Sequence, residues 1–120
     1  MSVYDCYAEG CPTRVVLDRI ADRWAVLVLG RLGDGPVRFN QLRREIQGVS
    51  AKVLSQTLKK LERDGLVRRE AFPTVPVTVE YEITELGATL RQTVAGLTRW
   101  AEDNIERVLD AQRRYDSGAS

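Results

Sequence analysis

The sequence predicts a mainly helical fold that contains one small β-hairpin. Leucines recur at helical spacing in the middle of the chain, which predicts a helix with one buried face, at Leu54, Leu58 and Leu61. After Gly65 the apolar period changes from about 3.6 residues to about 2. Residues 66–72 and 77–83 are rich in β-branched and aromatic side chains, as in paired strands. A last apolar stripe, from Leu86 to Leu109, predicts a long terminal helix.

The composition suits one globular domain with an uneven distribution of charge. Of 120 residues 43% are hydrophobic, so residues 1–120 are expected to form a single domain with a packed core. The net charge is only +1, but residues 38–69 carry nine basic and three acidic side chains, a local charge of +6. This asymmetry favours a module that faces nucleic acid. The chain has neither a signal peptide pattern nor an apolar run near the roughly 18 residues of a membrane span, which predicts a cytoplasmic protein.

Two helices are predicted before the basic segment. Pro12 is expected at the first position of helix one, where its missing N–H costs nothing. The run from Trp24 to Leu32 is apolar on nearly every side, which predicts a buried second helix after a break or a cap at Asp22. Two glycines and a proline in residues 33–36 then favour a turn.

The basic segment itself predicts two short helices. A short strand at residues 37–39 is expected to lead into the first, with Asn40 as its cap. The second begins after Ser50, a good N-cap, and ends at Gly65, which suits the left-handed position after a helix. Two short helices joined by a tight turn containing glycine form a helix-turn-helix, whose second helix enters the major groove of DNA. An ordinary helical hairpin is the alternative.

The outward side chains of the second helix suit a DNA groove. Lys and Arg can meet phosphates or guanine, Gln can bind adenine, and Ser can meet either phosphate or base. The candidate helix extends from Ser50 to Arg63, and base or near-base contacts are expected from Lys52, Ser55, Gln56 and Lys59. Phosphate contacts are expected from Arg38, Arg43, Lys60, Arg68 and Arg69. The alternative is a solvated amphipathic helix, because exposed helix faces commonly carry Lys and Gln.

The predicted hairpin and the last helix complete the fold. A hairpin directly behind the groove-binding helix is a wing, with Arg68 and Arg69 at its base, although a purely structural hairpin explains the same residues. The last helix is expected from about residue 84 to 114, and about 30 residues extend roughly 45 Å, beyond what a small core covers. Its apolar stripe therefore needs a partner, most simply a second copy in a two-fold homodimer that the first helix joins. The expected architecture is a winged helix-turn-helix that dimerises through its terminal helices.

This order of elements resembles the HxlR family of prokaryotic winged-helix transcription regulators. The matching segments are Cys11-Pro12, Asp22-Arg23-Trp24, residues 35–42, residues 49–55, residues 61–67, residues 79–81 and Leu86-Gly87. The resemblance implies a homodimer that binds a near-palindromic operator on double-stranded DNA, usually as a repressor, with the helix from Ser50 as recognition helix. The family commonly has Gly-Lys-Trp at residues 22–24, and it often places an arginine on the wing where this chain has Thr78.

The resemblance also implies a role for the cysteines. Many members sense electrophiles, quinones or oxidants through the cysteine before the first proline, which is Cys11 here. The chemistry is compatible, because a thiol at a helix N-terminus with Arg14 close by sits in a field that favours the thiolate. A sulfenic acid at Cys11 could condense with Cys6 or with a cysteine of the other subunit. The alternative is that both cysteines are small residues without a sensing role.

Other classes of function fit the same residues less well. The chain has no histidine, Gly-rich phosphate loop or carboxylate cluster, so no enzyme, cofactor or structural zinc site is expected. A winged helix that binds protein would be expected to replace Lys52, Lys59 and Lys60 with apolar or acidic residues. A regulator switched by a small molecule remains open, with a pocket between the wing core and the C-terminal helices that is lined by Trp24, Phe72, Tyr81 and Trp100. Aromatic residues at these spacings are also typical of plain core.

Overall fold

A computed structural model describes residues 3–118. In chain order its elements are α1 (Thr13–Ala21), α2 (Arg23–Leu32), β1 (Val37–Arg38), α3 (Phe39–Glu45), α4 (Ala51–Arg63), β2 (Val67–Phe72), β3 (Thr78–Ile83) and α5 (Glu85–Asp116). The three strands form one antiparallel sheet in the order β1-β3-β2. The predicted class, mainly helical with a small hairpin, is therefore confirmed.

Helix α2 lies at the centre of the core. Its buried residues pack in one cluster with the fully buried leucines of α4, the set being Ala25, Val28, Leu29, Leu32, Leu54, Leu58 and Leu61. The Asp22 carboxylate caps α2 by accepting hydrogen bonds from the backbone N–H groups of Trp24 and Ala25, at 2.9 and 3.4 Å. Both the buried second helix and its cap are as predicted.

Two helix starts differ from the predictions. Strand β1 pairs Val37 with Tyr81 and Arg38 with Glu80, which keeps the backbone extended through Arg38, so α3 begins at Phe39. The expected cap at Asn40 is wrong, because this residue already lies inside the first turn of α3. Helix α1 begins at Thr13, and Pro12 occupies the N-cap position instead of the first helical one.

The terminal helices leave much of their apolar surface uncovered. Helix α5 has 32 residues, two more than expected at its C-terminal end, but only Gly87 and Val94 are buried. Trp100 on α5 is 62% exposed, and α1 buries no residue. The other exposed apolar side chains of these helices are Val15, Val16, Leu17, Leu86, Leu97, Ile105 and Val108. None of the helices formed by residues 3–118 is long and apolar enough to cross a membrane.

Candidate nucleic-acid interface

Helix α4 has well-defined ends and one firmly anchored face. The Ser50 hydroxyl accepts a hydrogen bond from the Val53 N–H at 3.1 Å, and Gly65 follows the helix at a φ of 75°. The buried Thr57 donates its hydroxyl hydrogen to the Val53 carbonyl at 2.8 Å, so its polar group is satisfied beside the leucines. With one face held in this way, the opposite face of α4 is directed to solvent.

A row of polar and basic side chains occupies that outward face. At about 100° per residue, the positions directly opposite the leucines are Lys52, Gln56, Lys59 and Arg63. All four side chains are exposed, and within residues 3–118 none of the three basic ones forms an ion pair with a carboxylate. Arg63 was not among the predicted contacts, although its place four residues after Lys59 would have identified it. The row is an uncompensated positive surface with one amide in it.

A groove of about 720 Å³ lies between α3, α4 and the wing formed by β2 and β3. It brings together three predicted contacts from separate parts of the chain, namely Arg38, Ser55 and Arg69. It also contains Arg44 of α3, which the sequence did not single out. Arg43 is exposed beside it, in a shallower depression that it shares with Asn40 and Arg44. Both arginines of α3 therefore lie next to the outward face of α4.

The two arginines of the wing are not equivalent. Successive side chains of a strand point to opposite faces of the sheet, so Arg68 and Arg69 cannot both face the groove. Arg69 lines it, whereas Arg68 pairs with Glu82 at 3.2 Å across the strands. The positive charge of Arg38 is partly compensated in the same way, because the Glu80 carboxylate lies 3.9 Å from its guanidinium. The exposed Lys60 lies about 140° around α4 from Ser55 and therefore on the flank away from the groove.

The thiol of Cys11 lies just before α1 and is held by Thr13. Its Sγ lies 3.1 Å from the Thr13 Oγ1, and this hydrogen bond is the main cause that lowers the pKa of Cys11 below that of an ordinary thiol. Backbone hydrogen bonds from Thr13 and Asp5 act in the same direction, and the charge of Arg14 contributes least. The lowered pKa that the sequence predicts for Cys11 agrees with the structure. Its main cause is the Thr13 hydroxyl, however, and not the charge of Arg14.

The Arg14 side chain has another role. Its guanidinium donates to the backbone carbonyls of Cys6 and Tyr7, at 2.9 and 2.8 Å. The segment that carries Cys6 is thereby tied to the first turn of α1. Both cysteines are free thiols of intermediate exposure.

A second, apolar cavity of about 550 Å³ lies between α1 and the first turns of α5. Val16, Leu66, Leu86 and Leu90 contribute to its walls. None of the four aromatic residues expected around a pocket lines it: Trp24 and Tyr81 pack with the core, Phe72 ends β2, and Trp100 lies farther along α5. In the described part of the chain, no three side chains of His, Cys, Asp or Glu type are grouped so that they could hold a metal ion.

Comparison with known proteins identifies the family. The sequence profile of the HxlR-like helix-turn-helix family matches residues 19–109. The chain belongs to the HxlR family. It is 48% identical over 103 residues to the HTH-type transcriptional regulator YtfH of Escherichia coli (strain K12), covering 86% of this chain and 82% of that one. This HxlR-family chain is therefore a DNA-binding helix-turn-helix transcriptional regulator, and family membership confirms the expectation that it is not an enzyme.

Solved structures of other regulators share the fold. The structure of ytfH from Salmonella typhimurium superimposes with a TM-score of 0.87 at 45% identity, covering 92% of this chain and 99% of that chain. The redox regulator HypR in its reduced form gives a TM-score of 0.74 at 37% identity, covering 83% of this chain and 98% of that chain. HypR in its oxidized form gives a TM-score of 0.72 at 38% identity, covering 78% of this chain and 97% of that chain.

Proposed function

We propose that this regulator is a homodimeric repressor that inserts α4 of each subunit into adjacent major grooves of a near-palindromic operator. The observation that carries the proposal is the exposed row Lys52, Gln56, Lys59 and Arg63, beside a groove lined by further arginines. The three basic side chains of this row have no carboxylate partner among residues 3–118. Base contacts come from Lys52, Ser55, Gln56 and Lys59, and Ser50 presents the N-terminus of the helix. Phosphate contacts come from Arg38, Arg43, Lys60 and Arg69, whereas Arg68, which pairs with Glu82 on the other face of the sheet, is left out of the interface.

A dimer is supported by the uncovered apolar surface of the terminal helices. Trp100 and Ile105 of α5 and Val16 of α1 are exposed in the single chain. Several uncovered apolar side chains on the same two helices favour an interaction site there. We assign residues 1–120 to one winged-helix unit whose N-terminal arm and residues 84–114 form the interface with a second copy. A bound dimer represses by covering promoter DNA.

The signal in this proposal is oxidation or alkylation of Cys11. Its thiolate attacks a hydroperoxide oxygen, which gives a sulfenic acid and releases hydroxide or alkoxide. The Cys6 thiol, or a cysteine of the other subunit, then attacks the Cys11 sulfur, so that a disulfide forms and water leaves. The lowered pKa of Cys11 and the tie from Arg14 to the Cys6 segment support this route. The likeness to HypR, described as a redox regulator in both reduced and oxidized forms, supports it as well.

The test uses DNA from immediately upstream of the protein's own gene. Fluorescence anisotropy against excess unrelated DNA, with run-off transcription from the same fragment, is measured on reduced protein and after mild peroxide treatment. Reduced protein is expected to bind specifically and to lower transcription, and peroxide is expected to reverse both. Cys11→Ser should bind but no longer respond to peroxide.

A control variant and two contrary results distinguish thiol sensing, disulfide formation and repression from one another. Cys6→Ser leaves the first oxidation at Cys11 intact, so it tests only the second step. Full peroxide-driven release in Cys11→Ser would contradict thiol sensing at this residue. Increased transcription on binding would contradict repression while leaving DNA recognition in place.

A small-molecule inducer is the second candidate, and the apolar cavity between α1 and α5 favours it. The cavity is lined mainly by aliphatic side chains and has room for a small apolar compound. Specific DNA binding that peroxide leaves unchanged would favour a ligand in this cavity over oxidation of Cys11 as the signal. Thermal shifts with candidate compounds on the Cys6→Ser/Cys11→Ser protein would separate ligand sensing from thiol sensing.

A further inference from the structure

The junction that ends the recognition helix, Asp64–Leu66, is held from α1. The Arg19 guanidinium Nε donates to the Asp64 carboxylate Oδ2 at 2.6 Å, between residues 45 positions apart in the sequence. Their side chains are only 14% and 17% exposed, the lowest values of any ion pair within residues 3–118. A partly desolvated pair tolerates little change of geometry, because separating the partners leaves a charge without compensation.

The same junction is held from α5. The Thr84 hydroxyl, which caps α5, donates to the Gly65 carbonyl at 2.6 Å, and the Thr84 N–H donates to the Leu66 carbonyl at 3.1 Å. Gly87 lies directly against the Leu66 carbonyl, where a β-carbon would collide with the oxygen. The C-terminal end of α4 is therefore attached to both terminal helices, by hydrogen bonds and close packing on the α5 side and by an ion pair on the α1 side.

These two attachments differ in how they can be altered. The contacts from α5 are made to backbone carbonyls, and α5 follows the wing directly in the sequence. The contact from α1, by contrast, depends on the single side chain of Arg19. Helix α1 buries no side chain of its own, so the Arg19 ion pair is a specific restraint on its position relative to α4. Removing this pair releases one restraint without disturbing the leucine core.

We propose that Arg19 is a positioning residue for DNA recognition: through Asp64 it fixes the angle between α1 and the recognition helix. This inference rests on the proposed homodimer, in which α1 and α5 form the interface. With the dimer interface fixed, that angle sets the separation and mutual orientation of the two α4 helices. The Arg19–Asp64 pair thus determines which half-site spacing the dimer accepts.

The test is a spacing series. Two copies of a half-site, obtained by in vitro selection with the wild-type protein, are placed at centre-to-centre distances that vary in single base pairs around one helical turn, about 10 to 10.5 bp. The wild type is expected to prefer one spacing about tenfold over spacings two base pairs away. Arg19→Met is expected to flatten this preference, and the exchange Arg19→Asp/Asp64→Arg is expected to restore it.

The control is Arg31→Met, which removes an ion pair with Glu45 between α2 and α3 and so leaves the α1–α4 angle unchanged. If Arg19→Met does not fold, Asp64→Asn serves instead, because it removes the charge and keeps the shape. A lower melting temperature with an unchanged spacing preference would show that the pair only stabilises the fold, and would overturn the inference. A wild type without any spacing preference would overturn the dimer proposal together with it.

Discussion

Thr13 is the residue that distinguishes Cys11 from an ordinary surface thiol. Its hydroxyl lies 3.1 Å from the Cys11 sulfur, and a hydroxyl that donates to a thiolate stabilises the charged form. A lowered pKa increases the thiolate fraction at neutral pH, and the thiolate is the form that reacts with peroxides and electrophiles. The reactivity of Cys11 therefore depends on a neighbour that carries no charge.

Replacing Thr13 with Val should slow the modification of Cys11. In a Cys6→Ser background, the rate of alkylation by iodoacetamide is measured across pH. Because the pKa of Cys11 is lowered, the wild-type rate should reach half its maximum at a lower pH than the rate of an ordinary exposed thiol does. Thr13→Val raises the pKa, so its curve should shift to higher pH and its rate at pH 7 should fall.

Thr89→Val is the matched control, because the Thr89 hydroxyl donates only to the Leu86 carbonyl on α5. This variant should alkylate at the wild-type rate at every pH. Identical curves for Thr13→Val and the wild type would exclude the hydroxyl as the cause of the shift.

The sequence predicted the direction of this pKa shift but not its main source. A thiol before a helix, near an arginine, favours the thiolate in any conformation of the side chains. Which group lies closest depends on rotamers and on the path of the preceding chain. Arg14 is directed to the carbonyls of Cys6 and Tyr7, which leaves Thr13 as the nearest donor.

At the level of elements, α4 is proposed to make two kinds of DNA contact, which the salt dependence of binding distinguishes. A lysine that neutralises a phosphate releases a counterion, so it contributes to the salt dependence of binding. A glutamine that pairs with a base contributes to specificity and little to the salt slope. Lys60 on the flank and Gln56 in the outward row are the clearest examples of each.

Alanine variants of these two residues should therefore differ. Lys60→Ala is expected to reduce the slope of log K against log salt by about 1 and to weaken all sequences alike. Gln56→Ala is expected to cost about 1 to 3 kcal/mol at the selected site and to relax its specificity. Anisotropy titrations at several salt concentrations measure both quantities.

Arg31→Met is the control for lost positive charge, because Arg31 pairs with Glu45 between α2 and α3 and belongs neither to the proposed DNA contacts nor to the proposed dimer interface. Its slope should equal that of the wild type. An unchanged slope for Lys60→Ala would exclude a phosphate contact by this lysine.

The elements that the sequence predicted well are those set by local periodicity. The leucines of α4, the apolar run of α2 and the stripe of α5 each specify a helix through contacts within a few residues. The start of α3 was missed because it depends on the pairing of Val37 with Tyr81, 44 positions later in the chain. Arg44 was missed because the groove it lines forms only when α3, α4 and the wing are packed together.

At the level of the whole molecule, charge and apolar surface are separated. The basic segment, with a local charge of +6, comprises α3, α4 and the base of the wing. The uncovered apolar side chains lie instead on α1 and α5. In the homodimer that we propose, a two-fold pairing of the terminal helices is expected to place two copies of α4 on one side.

A hydroxyl-radical footprint of the reduced protein on its selected operator, together with the mass of the complex, tests the proposed dimeric recognition of DNA. One dimer is expected on the DNA, with two protected segments related by a dyad on one face of the duplex. Their separation should match recognition helices about 34 to 36 Å apart, or a multiple of that distance. A single protected segment bound by one chain, or protection without any discrete boundary, would contradict dimeric recognition.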